Sequence, residues 1–332
     1  MTNGNDLGIP SIDIAPFLAG DPDGKKKVAR AVAQACETVG FLVISGHGLP
    51  QNTLDRAIGL GFDFFDLPQA EKDRLHPTGA ARQRGYHRVA TRNLASTLGQ
   101  KTPPDLREFV FLGPIDDHSR HYAHLSDAET AYAANIVPDR PEGFDTALID
   151  LYRGFERLSV DLTRIMAVAL DLEEETFVPL LDRHFSIFGM HHYPVLATPP
   201  QPGQLRAGAH TDFGAMTILA MTEGRGGLEA RLRDGRWVPV LPKRGDLVVN
   251  LGDMMERWTN DRWVSTMHRV VVPDTGDAQS RRMSIGYFVH PNFDAEIRCV
   301  PTCLAPGETP RYSTITAGEH IRQKIDASHK AA

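Results

Sequence analysis

The chain has 332 residues, of which 41% are hydrophobic and 23% are charged, and its 36 Lys and Arg against 42 Asp and Glu give a formal net charge of −6. This balance predicts a globular protein with a sizeable core and argues against a nucleic-acid partner, which would need a basic excess or a basic stripe. No apolar run approaches the roughly 20 residues that cross a bilayer, so we expect no membrane partner.

The three cysteines, Cys36, Cys299 and Cys303, are few and odd in number. Such a count fits a reducing compartment better than a disulfide framework. The first residues carry neither the basic segment nor the apolar segment of a secretory signal. We therefore expect a cytoplasmic protein, with Cys299 and Cys303 as ordinary strand or loop residues. No pattern in the sequence predicts an oligomeric state.

Residues 1–120 alternate predicted helices and short strands and form an N-terminal α/β region. Within it, residues 77–120 are rich in Pro, Gly and Arg and show weak periodicity, so we predict mainly loop. A loop of this length in a compact enzyme is typical of a lid or a substrate-binding surface. The elements predicted from apolar spacing are strands over 9–14 and 41–44 and helices over 24–38 and 51–66.

The second half of the chain changes from helical to strand-like patterning. A long apolar stripe predicts a helix over 142–170, which makes residues 121–182 a helical support. Residues 183–300 contain short β-branched runs separated by turn residues, which favours a sandwich or jelly roll over a parallel α/β sheet. A tail over 301–332 ends in a predicted helix. The predicted strands are 187–193, 216–221, 237–240, 247–251, 264–271 and 283–289, and the last helix is 316–327.

The His-x-Asp motif at His210 and Asp212, followed by His268, suggests a metal site. On an extended segment, residues two apart face the same side, so His210 and Asp212 converge while Thr211 points away. Two imidazoles and one carboxylate leave half of an octahedron open, the arrangement expected of a non-haem Fe(II) oxygenase. Alone, His-x-Asp is a weak signal, and a single strand histidine is more often a core residue. The same ligands also suit a Zn(II) hydrolase.

Arg282 and Ser284 lie downstream in an apolar run and share one strand face. A guanidinium forks onto a carboxylate through two hydrogen bonds, and a serine hydroxyl donates a third. This pair predicts a clamp for a carboxylate co-substrate beside the metal, for which a hydrolase has no use. The order and spacing of both motifs together are much more specific than either one.

The chain resembles the isopenicillin N synthase-like branch of the Fe(II)/2-oxoglutarate-dependent dioxygenases over nearly its whole length. The metal and Arg-x-Ser motifs carry the resemblance most specifically. The supporting segments are 9–14, 40–48, 84–86, 102–108, Tyr193-Pro194, 251–270 and 312–320.

This resemblance implies a double-stranded β-helix, which is a jelly roll, flanked by N-terminal helices. His210, Asp212 and His268 would bind Fe(II), while Arg282, Ser284 and Tyr193 would bind 2-oxoglutarate. O2 would complete the reaction, which oxidises a C–H bond of a small molecule, most simply by hydroxylation, and releases succinate and CO2. His191 stands where the family often has Asn, so its part in binding the co-substrate is open.

The substrate itself is not encoded in these motifs. The ligand set serves hydroxylation, desaturation, cyclisation and demethylation equally, so the pattern does not separate them. An oxidase of the same fold that uses O2 without 2-oxoglutarate and a non-catalytic ligand-binding jelly roll are the alternatives. Position along the chain makes five residues candidates for substrate contact: Arg84, Tyr86, Arg107, Phe213 and Phe288.

Overall fold

The computed structural model describes residues 8–81, 83–125, 127–222, 227–272 and 281–331. The helices are α1 (Ala15–Leu18), α2 (Pro22–Thr38), α3 (Gln51–Phe65), α4 (Gln69–Asp73), α5 (Ala128–Ala131), α6 (Phe144–Ala169), α7 (Asp253–Trp258) and α8 (Ala317–Ala331). The strands are β1 (Ser11–Asp13), β2 (Phe41–Ser45), β3 (Gly85–His87), β4 (Glu108–Leu112), β5 (Ile187–Tyr193), β6 (Ala207–His210), β7 (Met216–Met221), β8 (Leu228–Arg231), β9 (Trp237–Pro239), β10 (Leu247–Leu251), β11 (His268–Val270), β12 (Arg282–Val289), β13 (Glu296–Ile297) and β14 (Ile315–Thr316).

Two sheets form the jelly roll. The large sheet has eight strands in the order β1-β2-β10-β7-β12-β5-β4-β3, and the small sheet has four in the order β6-β11-β8-β9. Apolar side chains of β2 and β10 in the large sheet and of β8 in the small one form one core cluster between the sheets. The predicted fold class, mainly β with a jelly-roll core and flanking helices, is therefore confirmed.

Helix α6 supports the other face of the large sheet. Its apolar stripe includes Leu148, Leu151, Phe155 and Leu162, all buried in the main core with residues of α2, α3 and β12. Burying such side chains stabilises the fold by about 1.5–3 kcal/mol each. The helix predicted over 142–170 is confirmed, and among the described residues no helix combines the length and apolarity needed to span a membrane.

The described part of residues 77–120 is mainly loop, as expected, but it also holds two strands that the sequence did not predict. These strands are β3 and β4, which extend the large sheet beyond β5, and a short 3₁₀ turn lies over Leu94–Leu98. Strand β4 has the sequence Glu-Phe-Val-Phe-Leu and pairs with all but two residues of β5. The surrounding Pro, Gly and Arg residues hid this short strand, because its five residues are too few for periodicity to stand out.

The strand predicted over 264–271 is shorter than expected. Only His268–Val270 pairs as β11, while the preceding residues are bound to the end of α2. The Val264 amide donates to Cys36 O, and Thr266 Oγ1 donates to Val39 O at 2.5 Å. Gly40 lies beside this segment with a φ of +67°, and a Cβ added there would lie 2.1 Å from Val264 O. The segment leading into His268 is thus held mainly by the end of α2, and it joins β8 at Met267 O, which accepts from the Arg231 amide at 2.8 Å.

We predict that Gly40→Ala destabilises the protein by at least about 2 kcal/mol, because left-handed backbone strain adds to the contact with Val264 O. The measurement is the thermal unfolding midpoint. Gly59→Ala is the matched control, since Gly59 is an exposed residue of α3 with no atom within 4 Å of an added Cβ. It should gain up to about 1 kcal/mol from helix propensity. Equal midpoints for the two variants would contradict the proposed role of Gly40.

Candidate active site

The three residues of the predicted metal site lie together where β6 and β11 pair. His210 ends β6, His268 begins β11, and the two stand directly opposite in the antiparallel register. Asp212 follows two residues after β6 ends, so it reaches the site from a turn and not, as expected, from the same strand. Its Oδ1 lies 3.7 Å from His210 Nε2 and 3.8 Å from His268 Nε2. One ligand atom from each residue lies within 4.8 Å of the others.

Backbone carbonyls fix the orientation of both imidazoles. His210 Nδ1 contacts Gly208 O at 2.8 Å, and His268 Nδ1 contacts Thr266 O at 3.0 Å. A carbonyl only accepts, so each Nδ1 carries a proton and donates it, and each Nε2 faces Asp212. This is the outer support that histidine ligands of metals usually have.

Asp212 is held by one of its two oxygens. Thr217 Oγ1 and Asn250 Nδ2 donate to Oδ2 at 2.5 and 2.8 Å, which leaves Oδ1 to face the imidazoles. Burial alone would raise the pKa of Asp212, but the neighbouring His268 and His210 and these two hydrogen bonds outweigh it and hold the pKa below its usual value. The carboxylate is therefore ionised at neutral pH.

His210 is neutral under the same conditions. Burial, and next the neighbouring His268, lower the pKa of His210 to about 3. Two imidazole Nε2 atoms and one ionised carboxylate form a donor set that suits a divalent transition metal. The residues present therefore fit Fe(II).

The predicted carboxylate clamp lies in the large sheet and opens on the same cavity. Arg282 pairs with Tyr193 and Ser284 with His191 across β12 and β5, which places all four residues on one face. Tyr193 Oη and Ser284 Oγ lie 3.3 Å apart. Both clamp and metal triad line one cavity between the two sheets. The arrangement suits a dianion whose one end contacts the metal and whose other end contacts Arg282.

Arg107 and His191 form the wall of the cavity on the β4 and β5 side. Arg107 Nη1 donates to His191 Nδ1 at 3.0 Å, and both side chains are buried. Burial, and next the charge of Arg107, lower the pKa of His191 well below its usual value. His191 is therefore neutral, accepts through Nδ1 and carries its proton on Nε2.

Of the five candidate substrate contacts, the structure places only Arg107 and Phe288 on the cavity. Arg84 is a correction: its guanidinium is buried beside the end of α5, where it donates to Ala131 O and Ala133 O. Tyr86 is also buried away from the cavity and donates to Glu108 Oε2 at 2.5 Å.

Phe213 is a further correction, because it does not line the cavity even though it follows Asp212. Its carbonyl lies 3.1 Å from His320 Nε2, on the side of α8. Adjacency in sequence was misleading because the chain turns directly after Asp212, where the Asp253 amide donates to Asp212 O. Phe188 and Met190, on the face of β5 opposite Tyr193, are fully buried core residues.

Sequence reasoning missed several residues that shape the site. Thr217 and Asn250 support Asp212, and Phe41 packs edge-on against the His268 ring with centroids 5.4 Å apart. Arg206 is fully buried and lies over the Tyr193 ring, 5.7 Å from its centroid. Polar residues inside predicted core strands, such as Asn250 in Leu-Val-Val-Asn-Leu, were the one signal that could have marked them, since buried polar groups need partners.

Comparison with known proteins agrees with this geometry. The model of the 2OG-Fe(II) oxygenase superfamily matches residues 184–291, and the model described as non-haem dioxygenase in morphine synthesis N-terminal matches residues 9–140. Together these two matches cover most of the chain and include the metal triad and the Arg-x-Ser motif.

Similar proteins align over almost the full length. The 2-oxoglutarate-Fe(II) type oxidoreductase hxnY of Emericella nidulans is 33% identical over 97% of this chain and 91% of its own. Validamycin A dioxygenase of Streptomyces hygroscopicus subsp. limoneus is 32% identical over 95% and 85%. The crystal structure of a full-length Neurospora crassa protein in complex with alpha-KG and thymine superimposes with a TM-score of 0.83 at 27% identity, over 98% of this chain and 99% of its own. The chain belongs to the isopenicillin N synthase-like family of Fe(II)/2-oxoglutarate-dependent dioxygenases and is a non-haem iron oxygenase that uses 2-oxoglutarate and O2.

Proposed function

We propose that His210, Asp212 and His268 hold the Fe(II) of this oxygenase, and that Arg282 binds the distal carboxylate of 2-oxoglutarate with Ser284 and Tyr193. The observation that carries the proposal is the convergence of both groups on one cavity between the sheets. The reaction is oxidation of a C–H bond of a small molecule, most simply hydroxylation, with release of succinate and CO2.

When bound, Fe(II) and 2-oxoglutarate together supply the electrons that activate O2, while the protein provides position and a dry cavity. Gly208 O and Thr266 O keep both imidazoles turned toward the metal position. Thr217 and Asn250 keep Asp212 from rotating, so only one of its oxygens is available as a ligand. No residue is asked to act as a general base, because removal of a hydrogen atom needs an aimed C–H bond and not a proton acceptor.

We further propose that residues 1–120, 121–182, 183–300 and 301–332 act as one catalytic unit. The sheet that carries Arg282 is completed by β1 and β2 on one side and by β3 and β4 on the other, so strands from the first segment bound the catalytic core. A cytoplasmic location is part of the same proposal. It is supported by three sparse cysteines, all free in the described part of the chain.

The first test is succinate formation. With Fe(II), 2-oxoglutarate and air, wild-type protein should form succinate above a protein-free control, and His210→Ala should lose it because one of the three ligands is missing. An anaerobic sample should form none. Substrate oxidation without succinate would leave an oxidase that does not use 2-oxoglutarate, and turnover that survives removal of O2 would indicate a hydrolase.

A second prediction concerns the support of Asp212. Asn250→Ala removes one of the two donors to Oδ2, and loss of such an outer partner typically weakens metal binding about 10- to 100-fold. Competition with a chromogenic chelator for Fe(II), or for Mn(II) as a stable substitute, measures this affinity. Asn52→Ala, an exposed residue of α3, is the control. Equal metal affinity in the two variants would show that Asn250 does not support the ligand.

A third prediction separates the clamp from the metal site. Arg282→Gln should weaken 2-oxoglutarate binding to the Mn(II)-loaded protein about 10- to 100-fold, the range expected for losing a hydrogen-bonded charge pair. Calorimetric titration measures it, with metal affinity determined on the same sample. Arg298→Gln removes the same charge from an exposed site and serves as control. The clamp assignment fails if both variants bind 2-oxoglutarate as the wild type does.

A further inference from the structure

A cationic side chain outside the metal and co-substrate groups also faces the cavity. Arg107 lies on the segment between the 3₁₀ turn and β4, is only 8% exposed, and lines the cavity together with His210 and Phe288. A buried guanidinium is costly unless its charge and its N–H groups are satisfied. The contacts of Arg107 therefore show what it is built to bind.

The contacts of Arg107 leave several N–H groups of its guanidinium without a hydrogen-bond partner among the described residues. Among the described residues, Nη1 donates to His191 Nδ1, while the buried Nε has no hydrogen-bond partner. The nearest carboxylate is Asp105, whose Oδ2 is 3.7 Å from Nη2, too far for a hydrogen bond. Of five N–H donors in the guanidinium, most remain for a ligand.

Asp105 accepts its hydrogen bonds from backbone amides and does not satisfy the remaining N–H donors of Arg107. Its Oδ1 accepts from the Gly208 amide at 2.9 Å, and its Oδ2 accepts from the Leu94 amide at 3.2 Å. The first bond ties the loop before β4 to the strand that carries His210, and the second ties it to the 3₁₀ turn over Leu94–Leu98. Asp105 thus fixes the backbone beside Arg107 and offsets part of its charge from behind, but it is not on the cavity wall.

The neighbours of Arg107 fix the position of its guanidinium on the cavity wall. Its guanidinium lies over the Phe109 ring at 5.3 Å, and its hydrogen bond to His191 fixes the imidazole with the proton on Nε2, a second donor on the same wall. Phe288 lines the cavity near His191, with ring centroids 6.5 Å apart, and offers an apolar surface. The wall therefore combines the charged guanidinium of Arg107, the neutral N–H donor of His191 and the aromatic ring of Phe288.

We propose that Arg107 binds a carboxylate of the substrate, so that the oxygenase acts on a small organic acid whose apolar body contacts Phe288. The inference rests on the proposed function, because it assumes that Arg282 is occupied by 2-oxoglutarate and Asp212 by the metal. Arg107 then remains as the cationic group of the cavity wall for the substrate. The acid group would be held at a fixed place relative to the metal, which selects one C–H bond.

The test is calorimetric titration of the Mn(II)-loaded protein at saturating 2-oxoglutarate, where no turnover takes place. The probes are three monocarboxylates, each compared with its primary amide: acetate and acetamide, benzoate and benzamide, L-proline and L-prolinamide. We expect at least one acid to bind the wild type about 10- to 100-fold more tightly than its amide, and Arg107→Gln to lose that preference. Arg298→Gln should keep it.

Equal binding of acids and amides by the wild type, no binding by any acid, or a preference retained in Arg107→Gln would each overturn the proposal. Circular dichroism shows whether the Gln variant is folded. If it is not, Arg107→Lys carries the test: it keeps the charge but loses the fork, and its preference for the acid should fall several-fold. Failure of the wild type to bind 2-oxoglutarate would instead overturn the function on which the inference rests, so the two failures are distinguishable.

Discussion

The pairing of β6 with β11 is the constraint on which the active site depends. The register that sets His268 opposite His210 brings two imidazoles together with ring centroids 4.3 Å apart, and the turn after β6 adds an ionised Asp212. A buried carboxylate is costly unless a cation compensates it. His210 Nε2, His268 Nε2 and Asp212 Oδ1 face one another, so the cluster offers three donor atoms to a divalent cation. A slip of one residue in this ladder would turn His268 to the other face of the sheet.

The rest of the jelly roll holds this pair in place and brings the co-substrate clamp to it. The large sheet fixes Arg282 beside Tyr193 through seven consecutive paired positions of β12 and β5, so the clamp is as rigid as the sheet. The small sheet fixes His210 and His268 by a separate set of pairs. Because the two sets belong to opposite sheets, the cavity between them keeps its width only if the core between the sheets stays packed.

Much of this site was predictable from sequence because it depends on chemistry and on short-range parity. His210, Asp212 and His268 were predicted by donor type, and Arg282 and Ser284 by their shared strand face. What failed was position in three dimensions. Arg84 and Phe213 were chosen by order along the chain, yet β3 lies two strands beyond β5 and the chain turns after Asp212. Strand β4 was hidden in a Pro- and Gly-rich stretch, since its pairing with β5 is long-range and leaves no local periodicity.

Arg107 occupies a different kind of position in the fold from the residues of the clamp. Arg282 and Ser284 of the clamp lie on β12, and His268 lies on β11, and both strands are paired on both sides, which allows little change. Arg107 instead lies on the loop directly before β4, toward the edge of the large sheet, and this loop is held to β6 through Asp105. Substitution there alters one wall of the cavity without disturbing the ladder that holds Arg282. A fold built this way keeps its iron and 2-oxoglutarate chemistry constant while the substrate-facing edge determines which molecule is oxidised.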